Sequence, residues 1–346
     1  MKTKSSQFVS VIVPVKKHTY YLLFENIPAF EKQTYKNFEL IILPNEHVQY
    51  DLVLLKKYKW LNIIPTGKVT RPAEKRNIGV KEAKGNIIAF IDDDAYPKSD
   101  WLEQIVKSFN KKIIAVCGPG LIPDNTNNWE KIFDQVITSW LGSGGYSYRF
   151  ISEKERFVDD YPSMNFLIKK KIFLKLGGFK GNYWPGEDSK LCEEIVYQEK
   201  GKILYNPKLI VYHHRRNSLR GFLEQHANYG FHRGAFFAHG DKNSQRITFL
   251  IPTLFVGYLS FVISFSLFNI FFKLTISNYL LTIIYLPAII YFFFSLQLFF
   301  KALLDTKNIF IALMSPIVLF LTHLTYGILF IKGFLKGFRN NENIYK

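Results

Sequence analysis

The sequence predicts an α/β domain with a mostly parallel, Rossmann-like sheet flanked by helices, followed by an α-helical transmembrane region. Over the first 214 residues, short β-branched and apolar runs alternate with segments of helical spacing, a pattern typical of βαβ units. After residue 246 come three long uncharged runs, at residues 247–272, 274–300 and 308–331. Each run exceeds the roughly 20 residues that cross a bilayer, so we predict three membrane helices.

The first domain is predicted from strands and helices that alternate along the chain. Residues 9–15 and 38–43 have the composition of buried strands, and residues 20–33 between them carry apolar side chains at helical spacing. The same reasoning predicts further strands at 61–65, 87–91, 113–118, 163–168, 203–207 and 209–214, and helices at 50–58, 71–80, 99–110 and 171–176 and from 187. The region from 119 to 161 accumulates Asn, Gly and Tyr around a short helix near 129–140, which predicts a mobile excursion outside the core.

The predicted strand at residues 87–91 ends in three consecutive carboxylates, Asp92, Asp93 and Asp94. In parallel sheets, ligands gather beyond the carboxyl ends of the strands. Three carboxylates this close repel one another, and a divalent cation bound through oxygen ligands would stabilise them. From the residues alone, a simple turn before the helix near residue 99 remains the alternative.

Charge and cysteine content limit the classes of function. The formal net charge is +17, yet from Ile247 onward there are only 7 Lys/Arg and 2 Asp/Glu. A basic domain attached to membrane helices is expected to meet anionic lipid headgroups and phosphate-bearing substrates, and no nucleic-acid recognition motif is present. The two cysteines, Cys117 and Cys192, have no metal-ligand spacing and suit a reducing compartment.

Two further segments carry candidate chemistry. Glu187 and Asp188 open a predicted helix, where they either complement the helix dipole or hold a base in a cleft. Residues 215–246 are basic and aromatic, and we predict an interfacial amphipathic segment whose cations either reach lipid headgroups or bind phosphate. The predicted organisation is therefore a first domain at 1–214, an interfacial segment at 215–246 and a transmembrane region at 247–346.

Five motifs, in this order, resemble the family 2 glycosyltransferases of the GT-A fold over roughly the first 240 residues. They are Val11-Ile12-Val13-Pro14, Arg76-Asn77-Ile78-Gly79, Ile91-Asp92-Asp93-Asp94-Ala95, Gly177-Gly178-Phe179 and Gly186-Glu187-Asp188. The stretch from Tyr212 to Gly230, followed by membrane helices, is similar to membrane-bound members that build surface polysaccharides and lipid-linked glycans, the succinoglycan-type glucosyltransferases among them.

The resemblance implies an inverting, metal-dependent transfer of a sugar from a nucleotide-sugar donor to a lipid-linked or membrane-proximal glycan acceptor. Asp92 would lie near the ribose, Asp94 would bind Mg²⁺ or Mn²⁺, and Asp188, supported by Glu187, would deprotonate the acceptor hydroxyl. The implied donor set also includes Pro14, Asn45, Arg76, Asn77 and Asp93. The implied diphosphate and acceptor region includes Trp184, His214, Arg215, Gln225 and Tyr229.

Two departures from the family pattern concern recognition of the nucleotide base and processivity. Pro44-Asn45-Glu46 stands where the family usually has an Asp-Asp pair, so Asn45 is expected to meet the base edge. The segment from Gln225 to Tyr229 lacks the Arg of Gln-x-x-Arg, which argues against a processive synthase. A polyprenyl-phosphate monosaccharide synthase and a catalytically silent membrane scaffold remain the alternative functions.

The expected location is the plasma membrane, with several spans and a cytoplasmic catalytic domain, since no signal peptide is visible. Three spans would place Lys332, Lys336, Arg339 and Lys346 on the face opposite that domain. Such an arrangement opposes the positive-inside tendency. One of the three runs is therefore expected to be re-entrant or interfacial.

Overall fold

The computed structural model describes residues 7–110, 112–183, 186–273 and 276–339. These residues form two compact units. The first contains residues up to Pro123 and residues 148–214, and the second contains residues 124–147 and those from Arg215 onward. Each unit is described by itself below.

The strands and helices of the described chain follow the predicted alternation. The strands are β1 (Val9–Pro14), β2 (Phe38–Leu43), β3 (Leu61–Ile63), β4 (Ile87–Ile91), β5 (Ala95–Pro97), β6 (Ile113–Cys117), β7 (Gly120–Leu121), β8 (Arg156–Val158), β9 (Asn165–Lys169), β10 (Lys202–Tyr205) and β11 (Val211–His213). The α-helices are α1 (Ile27–Glu31), α2 (Tyr50–Lys57), α3 (Pro72–Glu82), α4 (Trp101–Ser108), α5 (Asn128–Thr138), α6 (Trp140–Ser143), α7 (Lys170–Lys175), α8 (Glu187–Glu193), α9 (Leu219–His239), α10 (Ile247–Phe272), α11 (Asn278–Thr306) and α12 (Ile309–Arg339). Short π-helical turns precede α1 at Leu22–Asn26 and follow α8 at Glu194–Gln198.

The predicted α/β class is confirmed by the main sheet of the first unit. Within the described residues its strand order is β3-β2-β1-β4-β9-β6-β10-β8. β1 pairs in parallel with β2 and β4, whereas β9 runs antiparallel between β4 and β6. Every residue of β1, β2 and β4 is buried, as their continuous apolar runs predict for strands covered on both faces. The carboxyl ends of these three strands therefore meet at one edge of the sheet.

A second, smaller sheet includes β5, which follows β4 in the chain. In this part of the structure β11 pairs antiparallel with β5 and in parallel with β7, and His213 lies opposite Ala95. The pairing brings a residue from the end of the first unit beside the three carboxylates that follow β4. Sequence periodicity predicted β11 as an extended segment without indicating its partner.

A buried amide connects the two sheets. Asn165, at the start of β9, is fully buried, and its Oδ1 accepts a hydrogen bond from Trp101 Nε1 at 3.0 Å. Its Nδ2 donates to the carbonyl oxygens of Gly118 at 2.7 Å and Leu209 at 2.6 Å. One side chain thus fixes α4, the end of β6 and the segment before β11.

We expect Asn165→Ala to lower the free energy of unfolding of the first unit by roughly 2 to 6 kcal/mol. The substitution removes the partner of the Trp101 indole N–H and of the Leu209 carbonyl oxygen, at about 1 to 3 kcal/mol each, whereas the Gly118 carbonyl oxygen keeps the hydrogen bond from Tyr161 OH at 2.6 Å. Thermal unfolding of the detergent-purified protein, followed by tryptophan fluorescence, measures the change. Asn125→Ala, at an exposed loop position, is the control and should shift stability by less than about 0.5 kcal/mol.

The second unit contains the predicted membrane helices. α10, α11 and residues Ile309–Gly337 of α12 are each long and apolar enough to cross a membrane. Part of the predicted excursion also belongs to this unit and is not outside a core: Ile132, Phe133 and Val136 of α5 are buried. The physical reason is the amphipathic spacing of α5, whose apolar side packs on neighbouring helices through pairs such as Phe133 and Phe222, stacked at 4.1 Å.

Candidate active site

Arg76 joins two acidic segments that lie 95 residues apart in the sequence. The side chain belongs to α3 and is almost fully buried. Its Nη2 donates to Asp92 Oδ1 at 2.7 Å, and its Nη1 lies 3.4 Å from Glu187 Oε1. The structure therefore brings together Arg76, Asp92 and Glu187, three residues that the sequence nominated from separate motifs. One guanidinium between two carboxylates compensates part of their repulsion.

Asp92 and Asp94 form a possible metal site with a residue that sequence reasoning missed. Asp92, Asp94 and His213 each offer a ligand atom, and these atoms all lie within 4.8 Å of one another. His213 Nε2 lies 3.1 Å from Asp94 Oδ1, in the position that the β5–β11 pairing gives it. Two carboxylate oxygens and one imidazole nitrogen are a donor set that suits Mn²⁺, and carboxylates also suit Mg²⁺. The residues present fit a divalent cation.

Asp93 lies between the two candidate ligands but has a different environment. Its Oδ2 accepts a hydrogen bond from Thr19 Oγ1 at 3.1 Å. Burial, together with the negative charges of Asp94 and Asp92, raises the pKa of Asp93 to about 7. The opening acidic motif thus contains one carboxylate whose ionisation is opposed by its two neighbours.

A buried lysine organises the carboxyl ends of β1 and β2. Lys75 Nζ donates to the carbonyl oxygens of Val15 at 2.6 Å and Leu43 at 3.1 Å, and to Asn45 Oδ1 at 2.6 Å. Burial lowers the pKa of Lys75 to about 8 despite the nearby charge of Asp93. Asn45, predicted to meet a nucleotide base, is therefore held in place by Lys75. Pro14 lies at the buried end of β1.

Asn77 is engaged with the glycine motif. Its Nδ2 donates to the carbonyl oxygen of Phe179 at 2.8 Å, and Phe179 N–H donates back to Asn77 Oδ1 at 2.9 Å. Gly178 has a φ of 75°, and a Cβ there would contact Asn77 Oδ1, which explains the glycine. This arrangement gives Asn77 a structural function; its predicted role in nucleotide binding stays a prediction.

Asp188 and Glu187 share the first turn of α8 but have different partners. Asp188 Oδ1 accepts from Ser189 N–H at 2.8 Å, and its Oδ2 accepts from Ser163 N–H at 3.3 Å. Burial, followed by the charges of Glu187 and Asp160, raises the pKa of Asp188 to about 6. A carboxyl with a pKa in this range is suited to accept a proton near neutral pH.

Asp160 and Arg149 hold the start of α8, and sequence reasoning did not find either. Ser189 Oγ donates to Asp160 Oδ1 at 2.7 Å, and Arg149 Nη2 donates to Asp160 Oδ2 at 3.0 Å. Asp160 is buried, so its charge needs this partner. The two consecutive carboxylates Asp159-Asp160, which directly follow β8, were the available signal.

Among the described residues, the other predicted positions make side-chain contacts of their own, and the His214 N–H donates to the Asp94 carbonyl oxygen at 3.0 Å. His214 Nε2 lies 2.8 Å from Glu25 Oε2, and its ring stacks on Tyr21 at 4.1 Å. Arg215 belongs to the second unit, where its Nη2 donates to Asp134 Oδ1 at 2.8 Å. Gln225 Nε2 donates to Tyr229 OH at 3.0 Å along α9. Trp184 lies outside the described residues. The roles proposed for these residues stay predictions.

Comparison with known protein families identifies the domain that carries the acidic motif. Residues 10–177 match the family model described as glycosyl transferase family 2. The chain contains a family 2 glycosyltransferase domain. All of β1 to β4 and the Asp92–Asp94 motif lie within the matched range, as does Arg76.

The relatives of this glycosyltransferase are named as glycosyltransferases too. It is 26% identical, over 95% of its own chain and 98% of the relative, to a dolichyl N-acetyl-alpha-D-glucosaminyl phosphate 3-beta-D-2,3-diacetamido-2,3-dideoxy-beta-D-glucuronosyltransferase of Methanococcus voltae. It is 27% identical to a glucosyl-dolichyl phosphate glucuronosyltransferase of Haloferax volcanii, over 40% of this chain and 46% of that protein. The second match therefore spans less than half of the relative.

The fold of this glycosyltransferase is also that of a solved structure. The mannosyltransferase PcManGT from Pyrobaculum calidifontis, solved in complex with GDP-Man and Mn²⁺, superimposes with a TM-score of 0.53 at 14% identity. The superposition covers 96% of this chain and 88% of that one. The GT-A fold expected from the motifs is thereby confirmed.

Proposed function

We propose that this enzyme transfers a glycosyl group from a nucleotide-sugar donor to a sugar already carried by a dolichyl phosphate, with inversion at the anomeric carbon. The observation that carries the proposal is the similarity to the Methanococcus relative over almost the whole of both chains, membrane region included. That relative and the Haloferax one are both named for acceptors in which dolichyl phosphate already bears a sugar. Both are also named for transfer of a glucuronosyl-type sugar, so a nucleotide-linked uronic acid is the proposed donor class.

In this proposal, different residues of the site bind the nucleotide-sugar donor and activate the acceptor. Asp92, Asp94 and His213 would hold Mn²⁺ or Mg²⁺, which when bound neutralises charge on the departing nucleoside diphosphate. Arg76 orients Asp92 at this edge of the sheet through the contact between Nη2 and Oδ1 at 2.7 Å. Lys75 holds Asn45 through a hydrogen bond at 2.6 Å, and in this proposal Asn45 would meet the nucleotide base.

Asp188 acts in this proposal as the general base. Its raised pKa lets it take the proton of the acceptor hydroxyl as the hydroxyl oxygen attacks the anomeric carbon. The C–O bond to the diphosphate breaks as the new glycosidic bond forms, so attack from the opposite face inverts the configuration. Glu187, held by Arg76, restrains the same helical turn. The proposed location is the cytoplasmic side of the plasma membrane, in cell-surface glycan synthesis.

A transfer assay tests the proposal. The full-length protein in detergent is given Mn²⁺ and nucleotide-linked glucuronic acid, glucose, N-acetylglucosamine or mannose, with dolichyl phosphate, a dolichyl phosphate-linked monosaccharide or no lipid. We expect labelled sugar in the lipid fraction only with the sugar-bearing lipid, and highest with the uronic acid donor. Transfer to dolichyl phosphate itself would instead support a monosaccharide synthase. Absence of transfer in every combination would contradict the proposal, and NMR of the product reports its anomeric configuration.

A further inference from the structure

The last helix, α12, packs closely beside α9 within the second unit. A Cβ on Gly230 would overlap the carbonyl oxygen of Tyr326, and a Cβ on Gly234 would overlap that of Phe330. From the other side, Gly333 leaves room for the backbone of Phe231. In the contacts of Gly230 with Tyr326 and of Gly234 with Phe330, the residue number increases along both helices, so α9 and α12 run in the same direction. The C-terminal end of α12 therefore lies beside the C-terminal end of α9.

The beginning of α10 lies at this same end. α9 ends at His239, and a short turn leads to Ile247. The Arg233 guanidinium lies over the Phe249 ring at 4.5 Å, and Thr253 Oγ1 donates to the carbonyl oxygen of Gly327 at 3.3 Å. The point where α10 enters the membrane is thus close to the second half of α12.

The beginning of α12 lies against a different polar helix of the second unit, α5. Phe310 contacts the Trp129 ring edge-on at 6.2 Å. Further along, His323 Nε2 lies 3.3 Å from the carbonyl oxygen of Leu141. Gln135 of α5 also hydrogen-bonds Asp305 at the end of α11, at 3.2 Å. α5 therefore accompanies both the end of α11 and the first half of α12.

Neither of the helices that flank α12 can itself cross a bilayer. α5 carries Glu130, Lys131 and Asp134, and α9 carries Arg220, Glu224 and Arg233, and charges at this density are too costly in hydrocarbon. The two helices are joined by contacts, including the Phe133–Phe222 stack and the Arg215–Asp134 ion pair. They therefore lie on one side of the membrane, and α12 has a polar neighbour on that side at each of its ends.

The side chains of α12 divide into two faces. Eight large apolar residues are exposed among the described side chains of α12, namely Ile309, Phe310, Leu313, Ile317, Phe320, Ile328, Ile331 and Leu335. The opposite face is buried, with Ile311, Ala312, Ser315, Val318 and Leu319 among its members. A helix with one exposed apolar face and one protein-covered face can lie in a membrane interface, with the apolar face toward the acyl chains.

We propose that α10 and α11 form the transmembrane hairpin and that α12 lies along the membrane surface, with its apolar stripe in the headgroup and acyl boundary. The partner of this stripe is the bilayer itself, since α10 and α11, which are long and apolar enough to cross it, also expose large apolar residues such as Phe261 and Phe292. Lys332 and Lys336, near the end of α12, then lie on the side where α10 begins. This placement removes the conflict with the positive-inside tendency and lets both lysines meet anionic headgroups.

Cysteine accessibility tests the topology in sealed membrane vesicles of both orientations. Single substitutions Gln245→Cys, Lys273→Cys, Lys307→Cys and Lys332→Cys mark the start of α10, the end of α10, the turn before α12 and the end of α12. The buried Cys117 and Cys192 remain, and the unsubstituted protein is the labelling blank. With a membrane-impermeant maleimide, we expect positions 245, 307 and 332 to label from one face and position 273 from the other. Labelling of 332 from the same face as 273 would overturn the proposal, as would labelling of all four from one face.

Depth measurements give a second test that does not depend on sidedness. Nitroxide labels are placed on the stripe of α12 at Leu313, Ile317, Phe320, Ile328 and Leu335, and on the exposed side of α10 at Leu254, Phe261 and Leu267. The depth of each label in a reconstituted bilayer is obtained by comparing its accessibility to oxygen with its accessibility to a water-soluble nickel complex. We expect a shallow, nearly constant depth along α12 and a mid-helix maximum along α10. A maximum at the middle of α12 equal to that of α10 would show that α12 crosses the bilayer. Neither test requires that the proposed transfer reaction occur.

Discussion

Replacement of Asp188 by Asn should lower kcat by about 10² to 10⁴-fold, the range that general-base catalysis contributes. The substitution keeps the shape of the side chain and its hydrogen bond from Ser189 N–H, but removes the group that accepts the proton. Donor binding should change little, because the Asp92–Asp94 cluster is untouched. Nucleoside diphosphate release at saturating donor and acceptor measures kcat, and isothermal titration with the donor measures binding.

The control variants for this experiment distinguish the two acidic residues in the first turn of α8. Asp124→Asn, at an exposed position, should keep wild-type kcat. Glu187→Gln weakens the contact with Arg76 and should reduce activity less than Asp188→Asn does. If Glu187→Gln abolishes turnover while Asp188→Asn preserves it, the base is Glu187 and our assignment is wrong.

The pH profile supplies an independent readout of the same residue. A base must be ionised, so kcat/KM should rise with pH through the Asp188 pKa of about 6 and level off above it. The negative charge of Asp160 contributes to this raised pKa, and Asp160→Asn should therefore move the acid limb to lower pH. If the acid limb does not move in Asp160→Asn, or is still present in Asp188→Asn, the titrating group is a residue other than Asp188.

Replacement of Asp94 by Ala should abolish metal-dependent activity, with a loss of about 100-fold or more, since a bound cation stabilises several kcal/mol of developing charge. The variant removes a charged oxygen ligand from a set of three, leaving Asp92 and His213. Electron paramagnetic resonance of free Mn²⁺ measures binding without turnover. We expect tight binding in the wild type and weak or absent binding in Asp94→Ala.

The neighbouring carboxylate provides a matched control for the metal site. Asp93 is adjacent in sequence but hydrogen-bonds Thr19 and does not belong to the ligand cluster. Asp93→Asn should therefore retain Mn²⁺ binding, whereas His213→Ala should weaken it. Equal Mn²⁺ affinity in Asp94→Ala and the wild type would show that the cluster is not the metal site.

Much of the first unit follows from local pattern. β1, β2 and β4 were predictable because each is a short, mostly apolar run, interrupted only by Ser10 in β1 and Glu39 in β2, and such runs favour a strand buried on both faces. The position of Asp92 and Asp94 then followed from the rule that parallel strands deliver their carboxyl ends to one edge. The proximity of Arg76 to this edge followed from its place in the first half of α3, since the helix packs back along β1.

His213 shows where local pattern stops being informative. Its approach to Asp94 depends on the pairing of β11 with β5, across more than a hundred residues, and both strands are only three residues long. Nothing in their composition specifies that partner. The sequence analysis accordingly selected the adjacent His214, whose ring instead stacks on Tyr21.

The same distinction applies to the buried polar residues and to the membrane helices. Residue types and their spacing established an α/β domain, an acidic strand end and three helices long enough to span a bilayer, because these features arise from neighbours in the chain. Lys75 beneath Asn45, Asp160 beside Ser189, and the glycine contacts between α9 and α12 arise from residues far apart in the chain. Such contacts depend on tertiary packing, because the partner of each buried group comes from a distant part of the chain. The reacting groups could therefore be nominated from the sequence, while the partners that hold them, and the side of the membrane on which α12 ends, required the folded chain.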